Sequence, residues 1–193
     1  VEDIATDGAR ILVSRYNSAS HVELFVLDVA SGKLTPIGPT GRRITYFDPH
    51  FAGPGAVVVL SDDGSDVTRP VGIDLATGRL RDLEPGAKWG SEGMDVSPDG
   101  RTLAHVVNEE GYSKVVLRDV STGRVLPGPD LPKGVLTALK FSPDGGRLGL
   151  SLSTSTANGD VWTYDLASRQ LTRWTESELG GIDPATLVEP TLF

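Results

Sequence analysis

The chain has 193 residues, of which 38% are hydrophobic, 23 are glycine and 13 are proline, a composition that excludes intrinsic disorder. The net charge of −8 has the wrong sign for binding nucleic acid or an anionic membrane. The absence of cysteine excludes disulfides, thiol catalysis and cysteine-ligated zinc. No apolar run reaches the ~20 residues that span a bilayer. We therefore expect a soluble protein, with a cytoplasmic location favoured.

Two short motifs recur along the chain with the same period. An aspartate followed three positions later by serine or threonine returns at steps of 46, 45 and 46 residues, at Asp28, Asp74, Asp119 and Asp165. The run Ser97-Pro98-Asp99-Gly100 returns 45 residues later at Ser142, with weaker echoes at Gly55 and Gly8. A repeat of this length with four short strands is typical of a β-propeller blade.

Both motifs are turn signals, so strands are expected between them. We predict four repeats, at about 1–40, 41–86, 87–130 and 131–175. Strands in the third repeat are predicted near Glu92–Val96, Thr102–Asn108, Lys114–Val120 and Arg124–Pro127. Strands in the fourth are predicted near Leu136–Phe141, Arg147–Ser153, Val161–Leu166 and Gln170–Trp174. The fold class is therefore all-β, a propeller of four blades, each a four-stranded antiparallel meander.

The recurring aspartates have a structural interpretation. Each follows a third strand, where a short carboxylate accepts hydrogen bonds from the backbone of the next turn. The acidic run Asp62–Asp66 is interpreted as a solvated hairpin tip, because it lacks the glycine and the terminal glutamate of an EF-hand calcium loop.

The sequence contains none of the common catalytic or nucleotide-binding motifs. Gly-x-Ser-x-Gly, Gly-x-Gly-x-x-Gly, the phosphate-binding Gly-Lys-Ser/Thr loop and His-Glu-x-x-His are all absent. We predict no catalytic residue, no metal ligand and no cofactor in this chain.

The three histidines, and three residues near an inner strand, are the candidate site residues. His105 falls in the repeat register of Leu60 and Leu150, which predicts a buried, hydrogen-bonded histidine. His21 and His50 are predicted to lie at the surface. Residues lining a central channel are expected just before or within the first strand of the third repeat; the same side chains could instead pack between blades. They are Trp89, Glu92 and Met94.

The last 18 residues leave the repeat. Asp183 is predicted to cap a helical turn started by Pro184, and the pair Glu189-Pro190 favours extended chain. We interpret 176–193 as an exit linker rather than a fifth blade.

Two segments resemble the prolyl oligopeptidase family of serine peptidases, which includes dipeptidyl and acylaminoacyl peptidases. They are Val96–Asn108 (VSPDGRTLAHVVN) and Trp174–Pro190 (WTESELGGIDPATLVEP). The resemblance implies that the chain is the C-terminal half of a seven- or eight-bladed propeller, and that a linker similar to Leu179–Pro190 leads to an α/β-hydrolase domain. The catalytic triad of the family belongs to that domain and has no matching position here.

Two functions follow from these observations. In the first, the chain is the propeller portion of such a peptidase and filters peptides that reach a catalytic domain outside this chain. In the second, it is a stand-alone propeller that binds a partner without chemistry. Four blades also leave two open sheet faces, so we expect the remaining blades, a second copy of the chain, or closure of the four blades on themselves to cover them. The start at Val1 suggests an excised or processed piece.

Overall fold

The computed structural model describes residues 1–39 and 41–190, which contain sixteen strands in four separate sheets. Blade 1 consists of β1 (Asp3–Ile4), β2 (Arg10–Ser18), β3 (His21–Asp28) and β4 (Leu34–Ile37). Blade 2 consists of β5 (Tyr46–Phe51), β6 (Ala56–Ser61), β7 (Arg69–Asp74) and β8 (Leu80–Asp82). Blade 3 consists of β9 (Ser91–Val96), β10 (Thr102–Glu109), β11 (Tyr112–Asp119) and β12 (Val125–Leu126). Blade 4 consists of β13 (Val135–Phe141), β14 (Arg147–Ser153), β15 (Asp160–Asp165) and β16 (Leu171–Arg173).

Every sheet is an antiparallel meander whose strands are hydrogen-bonded in sequence order. The eight strands predicted for the third and fourth repeats are all present, with ends within two residues of the prediction. The all-β propeller-blade fold is therefore confirmed. In the described part of the chain, the one helical element is a 3-10 turn at Pro184–Thr186.

The blades stack through their faces, with the first strand of each blade innermost. β1 contacts β5, β5 contacts β9, and β9 contacts β13. Three buried apolar clusters fill the spaces between successive blades, and each combines side chains from both neighbours. Their central members are Leu12 with Val57 and Val59, then Leu60 with Leu103, then Ala104 with Leu148 and Leu150. Because opposite sides of one strand enter different clusters, an internal blade is apolar on both faces.

The recurring aspartates perform the predicted structural role. In each blade, the Oδ1 atom accepts the backbone N–H of the Ser or Thr three positions later at 2.7 to 2.8 Å, and also the hydroxyl of that residue. The next position has a left-handed backbone, with φ of 68°, 69° and 76° at Gly32, Gly78 and Gly123. In blade 4 the corresponding residue is Arg169, which adopts φ 61° without the freedom of glycine.

The repeat register is shifted by one residue in blade 2. Val96 pairs with Leu103 and Phe141 with Leu148, whereas Phe51 pairs with Val57. The turn between the first and second strands is therefore one residue shorter in blade 2. As a consequence His105 corresponds to Val59 and not to Leu60, which corrects the alignment made from the period alone.

Candidate functional site

One polar side chain stands at the same register position on the first strand of every blade. These side chains, at steps of 47, 45 and 45 residues, are Asp3, His50, Asp95 and Lys140. All four line one cleft of about 420 Å³, called the inner cleft here. Its rim is formed by the turns that follow β1, β5 and β9, so three blades contribute to the rim.

Carboxylates of the inner strands bind the backbone of the next blade. Asp3 Oδ2 accepts the N–H of Phe51 at 2.8 Å, and Asp95 Oδ2 accepts the N–H of Phe141 at 2.7 Å. Asp48 Oδ2 makes a related bond to the N–H of Met94, also at 2.7 Å. These N–H groups belong to the first strands, which are edge strands of their sheets. Each carboxylate therefore accepts a hydrogen bond from a donor that has no partner within its own sheet.

A bulge in β5 brings Asp48 beside His50, and Asp48 itself lines the second cavity, of about 210 Å³, with Met94. The pairing of β5 with β6 shifts register between Phe47 and His50, and Asp48 within this shift has φ 49°. Pro49, which has no N–H, follows in the same bulge, where a missing ladder donor is tolerated. The bulge redirects the Asp48 side chain so that its Oδ1 lies 3.1 Å from His50 Nε2.

His50 is surrounded by carboxylates from three blades, so the prediction of a surface histidine is wrong. Its side chain is only 13% exposed. Nδ1 lies 3.8 Å from Asp95 Oδ1 and 3.9 Å from Asp3 Oδ2. Burial opposes the charged ring, but the hydrogen bond to Asp48 and the charges of the three aspartates outweigh it and raise the pKa of His50. The same contact with His50, together with the Met94 N–H, lowers the pKa of Asp48 against its own desolvation.

Lys140 completes the row of charges. Its Nζ lies 2.7 Å from Asp95 Oδ1, while its side chain remains 73% exposed. Asp95 itself is almost fully buried and holds Lys140 and the Phe141 N–H with its two oxygens. The inner strands therefore present acid, base, acid and base in blade order.

A buried serine and histidine pair in blade 3 has no catalytic geometry. His105 is fully buried, as predicted, and Ser91 Oγ lies 2.9 Å from its Nδ1. Arg118 Nε donates to His105 Nε2 at 3.2 Å, and Arg118 also pairs with Glu84. Burial, with the nearby Arg118 charge, lowers the pKa of His105 to about 3. A base must reach substrate and accept its proton, so this closed pair is structural.

The predicted channel residues occupy different surroundings. Met94 is buried between blades 2 and 3 beside Leu60 and Leu103. Glu92 is exposed, accepts a hydrogen bond from Asn108 Nδ2 at 2.9 Å, and lines a second cavity of about 210 Å³ with Met94. Trp89 lies before β9 and is 42% exposed. A channel-lining role for the three remains a prediction.

The predicted cap of the tail is present, whereas its role as an exit linker remains a prediction; residues 191–193 of that linker lie outside the described residues. Asp183 Oδ1 accepts the N–H of Ala185 at 2.9 Å and caps the turn that Pro184 begins. Lys133 pairs with Glu189 at 3.4 Å, and Tyr112 donates its hydroxyl to the carbonyl of Pro190 at 3.3 Å. The tail thus returns to the start of β13, at the opposite end of the inner strand from the inner cleft.

The described part of the chain lacks two other kinds of site. Among residues 1–39 and 41–190, no three His, Asp or Glu side chains are grouped so that they could hold a metal ion. Over the same residues, no helix is long and apolar enough to cross a membrane.

The fold is that of propeller blades in known peptidases. The chain superposes on a prolyl endopeptidase with a TM-score of 0.80 at 16% identity, covering 94% of this chain and 27% of that chain. Prolyl oligopeptidase B from Galerina marginata superposes with a TM-score of 0.75 at 14% identity, covering 95% of this chain and 27% of that chain. TolB from Acinetobacter baumannii superposes with a TM-score of 0.71 at 16% identity, covering 92% of this chain and 43% of that chain. The chain spans about a quarter of the length of the two prolyl peptidases. No protein-family model matches the sequence.

Proposed function

We propose that this chain is the propeller portion of a prolyl oligopeptidase-like serine peptidase, where it controls the access of peptides to an α/β-hydrolase domain outside the chain. The similarity to prolyl oligopeptidase propellers, which extends over almost all of the described residues, carries this proposal. A propeller that covers an active site excludes water and admits only substrates that pass it. Small peptides are the substrates implied for the whole enzyme.

The open face of blade 1 supports a place within a larger propeller. Val13 pairs with Phe25 and Ile11 with Leu27 on the side that points away from blade 2. The corresponding side chains of blade 2 are Val57, Val59, Val71 and Ile73, all buried against blade 1. An apolar face of this kind is stable when another blade covers it. We therefore place further blades of the propeller on blade 1.

The open face of blade 4 is different in character. Gly149 pairs with Thr163 and Ser151 with Val161, where blade 3 has Ala104 with Leu117 and Val106 with Val115. A small, polar outer face is typical of a terminal repeat, which needs no tight partner.

The tail supports a catalytic domain at one end of the array. It runs beside the start of β13, next to Tyr112 and Lys133. The cavity lined by Glu92 and Thr137 lies at the same ends of β9 and β13. A domain joined after Pro190 would therefore face this cavity, and peptides entering from the inner cleft would reach it along the inner strands.

The test uses the natural gene product. An antibody raised against this chain captures the product from its source cells, and its intact mass, its labelling by a fluorophosphonate and its hydrolysis of a prolyl p-nitroanilide peptide are measured. We expect a mass several times that of the chain, serine-specific labelling and hydrolysis, while the isolated chain is inert in both assays. A captured product of the chain's own mass, or a longer one that neither labels nor hydrolyses, would refute the proposal in favour of a non-catalytic propeller.

A further inference from the structure

We propose that His50 is a proton-dependent brace for blades 1, 2 and 3: the protonated ring links Asp3 and Asp95, which line the inner cleft, with Asp48 beside it, and loss of its proton weakens these links. The brace depends only on residues of this chain. Its test is therefore independent of the proposed peptidase function.

The ring faces carboxylates on both sides, at hydrogen-bond distance from Nε2 and at ion-pair distance from Nδ1. Nε2 faces Asp48 Oδ1 at 3.1 Å, and Nδ1 faces Asp95 Oδ1 at 3.8 Å and Asp3 Oδ2 at 3.9 Å. A neutral imidazole has one donor and one acceptor nitrogen, so one of its sides would present a lone pair to a carboxylate. Only the imidazolium ion suits both sides at once.

The carboxylates cannot turn away from the ring. Oδ2 of Asp3 is held by the N–H of Phe51, Oδ2 of Asp95 by that of Phe141, and Oδ2 of Asp48 by that of Met94. Each aspartate is thus fixed to the backbone of the blade that follows it. If His50 becomes neutral, three fixed carboxylates remain around it, of which only Asp95 keeps an ion-pair partner, Lys140. Their mutual repulsion then acts on the distances between blades.

The remaining charges of the cleft do not replace the histidine. Lys140 of β13 binds the Oδ1 atom of Asp95 from the solvent side. Arg10 of β2 donates to the carbonyl of Pro54 at 2.8 Å, and its guanidinium lies 5.3 Å from the centre of the Phe51 ring. The rim turns add two further carboxylates, those of Asp7 and Asp99. Among the described residues, His50 is the cation paired with Asp3 and Asp48 within 4 Å, while Lys140 acts on Asp48 from a longer distance.

The direction of the pH effect follows from the change in the pKa of His50 on folding. Burial disfavours the charged ring, but the three aspartates raise the folded-state pKa of His50 above its ordinary value of 6.5. A raised pKa means that the folded chain binds the proton more tightly than the unfolded chain. The stabilisation is complete below pH 6.5 and is lost as the pH rises through the folded-state pKa.

The rim turns give a direct measure of the brace. Thr6, after β1, lies against Pro98, after β9, with the Thr6 hydroxyl 3.5 Å from the Pro98 carbonyl. Because the chain contains no cysteine, spin labels at Thr6→Cys and Pro98→Cys report the separation of blades 1 and 3 by double electron–electron resonance. Because the two sites are in contact, the short distance at pH 5.5 is read from dipolar broadening of the continuous-wave spectrum, and we expect this broadening to decrease, and a resolvable longer distance to appear, at pH 9.

Titration of the ring provides the second readout. The His50 resonances, followed by NMR from pH 5 to 9, should show a pKa above 6.5, and Asp48→Asn should lower it while the chain stays folded. In His50→Gln the label distance should no longer change with pH, whereas the matched control His21→Gln, on β3 outside the cleft, should behave as the wild type. A His50 pKa at or below 6.5, or a label distance that is the same at both pH values in the wild type, would overturn the proposal even if His50→Gln does not fold.

Discussion

The Asp95 carboxylate on the first strand of blade 3 accepts the backbone N–H of Phe141 on the first strand of blade 4, at 2.7 Å. Asp3 makes the same bond to Phe51 between blades 1 and 2. Since the sheets themselves share no ladder hydrogen bonds, these side chains supply direct polar links between the inner strands of neighbouring blades. The links also fix the position of the charges that line the inner cleft.

Removal of the Asp95 carboxylate is the first prediction. Asp95→Ala leaves the Phe141 N–H without its acceptor in a buried position, so the free energy of unfolding should fall by ~1–3 kcal/mol. Urea unfolding followed by tryptophan fluorescence measures the change. Asp130→Ala, in the exposed loop after β12, is the control and should differ from wild type by less than ~0.5 kcal/mol. Equal effects of the two substitutions would contradict the assigned role.

The turn at Gly100 provides the second prediction. A Cβ at Gly100 would lie 2.3 Å from the backbone nitrogen of Gly53 in blade 2, whereas a Cβ at Gly145, 45 residues later, makes ordinary contacts with Pro98 at 3.6 Å and Ser97 at 3.9 Å. Both glycines have a left-handed backbone, with φ of 72° and 70°. Gly145→Ala should therefore lower the free energy of unfolding by ~1 kcal/mol through backbone strain alone. Gly100→Ala should lower it by clearly more. Thermal unfolding of the two variants isolates the contact between blades 2 and 3; identical melting temperatures would show that this contact relaxes freely.

The third prediction is a stabilising substitution at Arg169. Its φ of 61° is strained for a residue with a Cβ, and the three corresponding positions are glycine. Arg169→Gly removes the strain but increases the freedom of the unfolded chain, so we expect a net gain of ~0.5–1 kcal/mol. Arg169→Ala, which removes the side chain and keeps the strain, should give no such gain. If the alanine variant is stabilised as much as the glycine variant, the arginine side chain and not its backbone is responsible.

His105 gives the fourth prediction, with a pH dependence opposite to that of His50. Its folded-state pKa of about 3 lies below the ordinary value of 6.5, so between these values the unfolded chain binds the extra proton. The stability that neutral His105 contributes is complete above pH 6.5 and declines as the pH falls towards 3. Between pH 7 and pH 4.5, the contribution of His105 to the free energy of unfolding should fall by ~2–3 kcal/mol.

The variant His105→Gln tests this dependence. Glutamine keeps polar atoms near Ser91 and Arg118 but does not titrate, so the difference in unfolding free energy between pH 7 and pH 4.5 should be smaller than in the wild type. Urea unfolding at the two pH values gives both differences. A variant that loses as much stability on acidification as the wild type would show that other groups dominate the acid response.

Much of the fold could be read from local sequence. The aspartate, hydroxyl and glycine of each recurring turn act within four residues, and the alternation of Leu148, Leu150 and Leu152 identifies one face of one strand. The hydrogen bonds from Asp119 to Thr122 and the left-handed Gly123 are local in the same sense. The period then sets the number of blades, because each unit of this length is a complete meander.

The inner cleft was missed, although a signal for it was present. Asp3, His50, Asp95 and Lys140 recur with the period of the turns, but they differ in residue type, and a search for identical residues passes over them. Comparison of charge at each repeat position would have found them.

Tertiary structure alone decided how these positions act. The bulge that gives Asp48 its φ of 49° brings its carboxylate to His50 and to the Met94 N–H of the next blade. The N–H groups bound by Asp3 and Asp95 are removed from water only when blades stack. His50 lies near three carboxylates only because three inner strands converge. Strand and turn formation are determined by contacts over a few residues, whereas the surroundings of His50 combine its near neighbour Asp48 with Asp3 and Asp95, which are about 45 residues away in the chain.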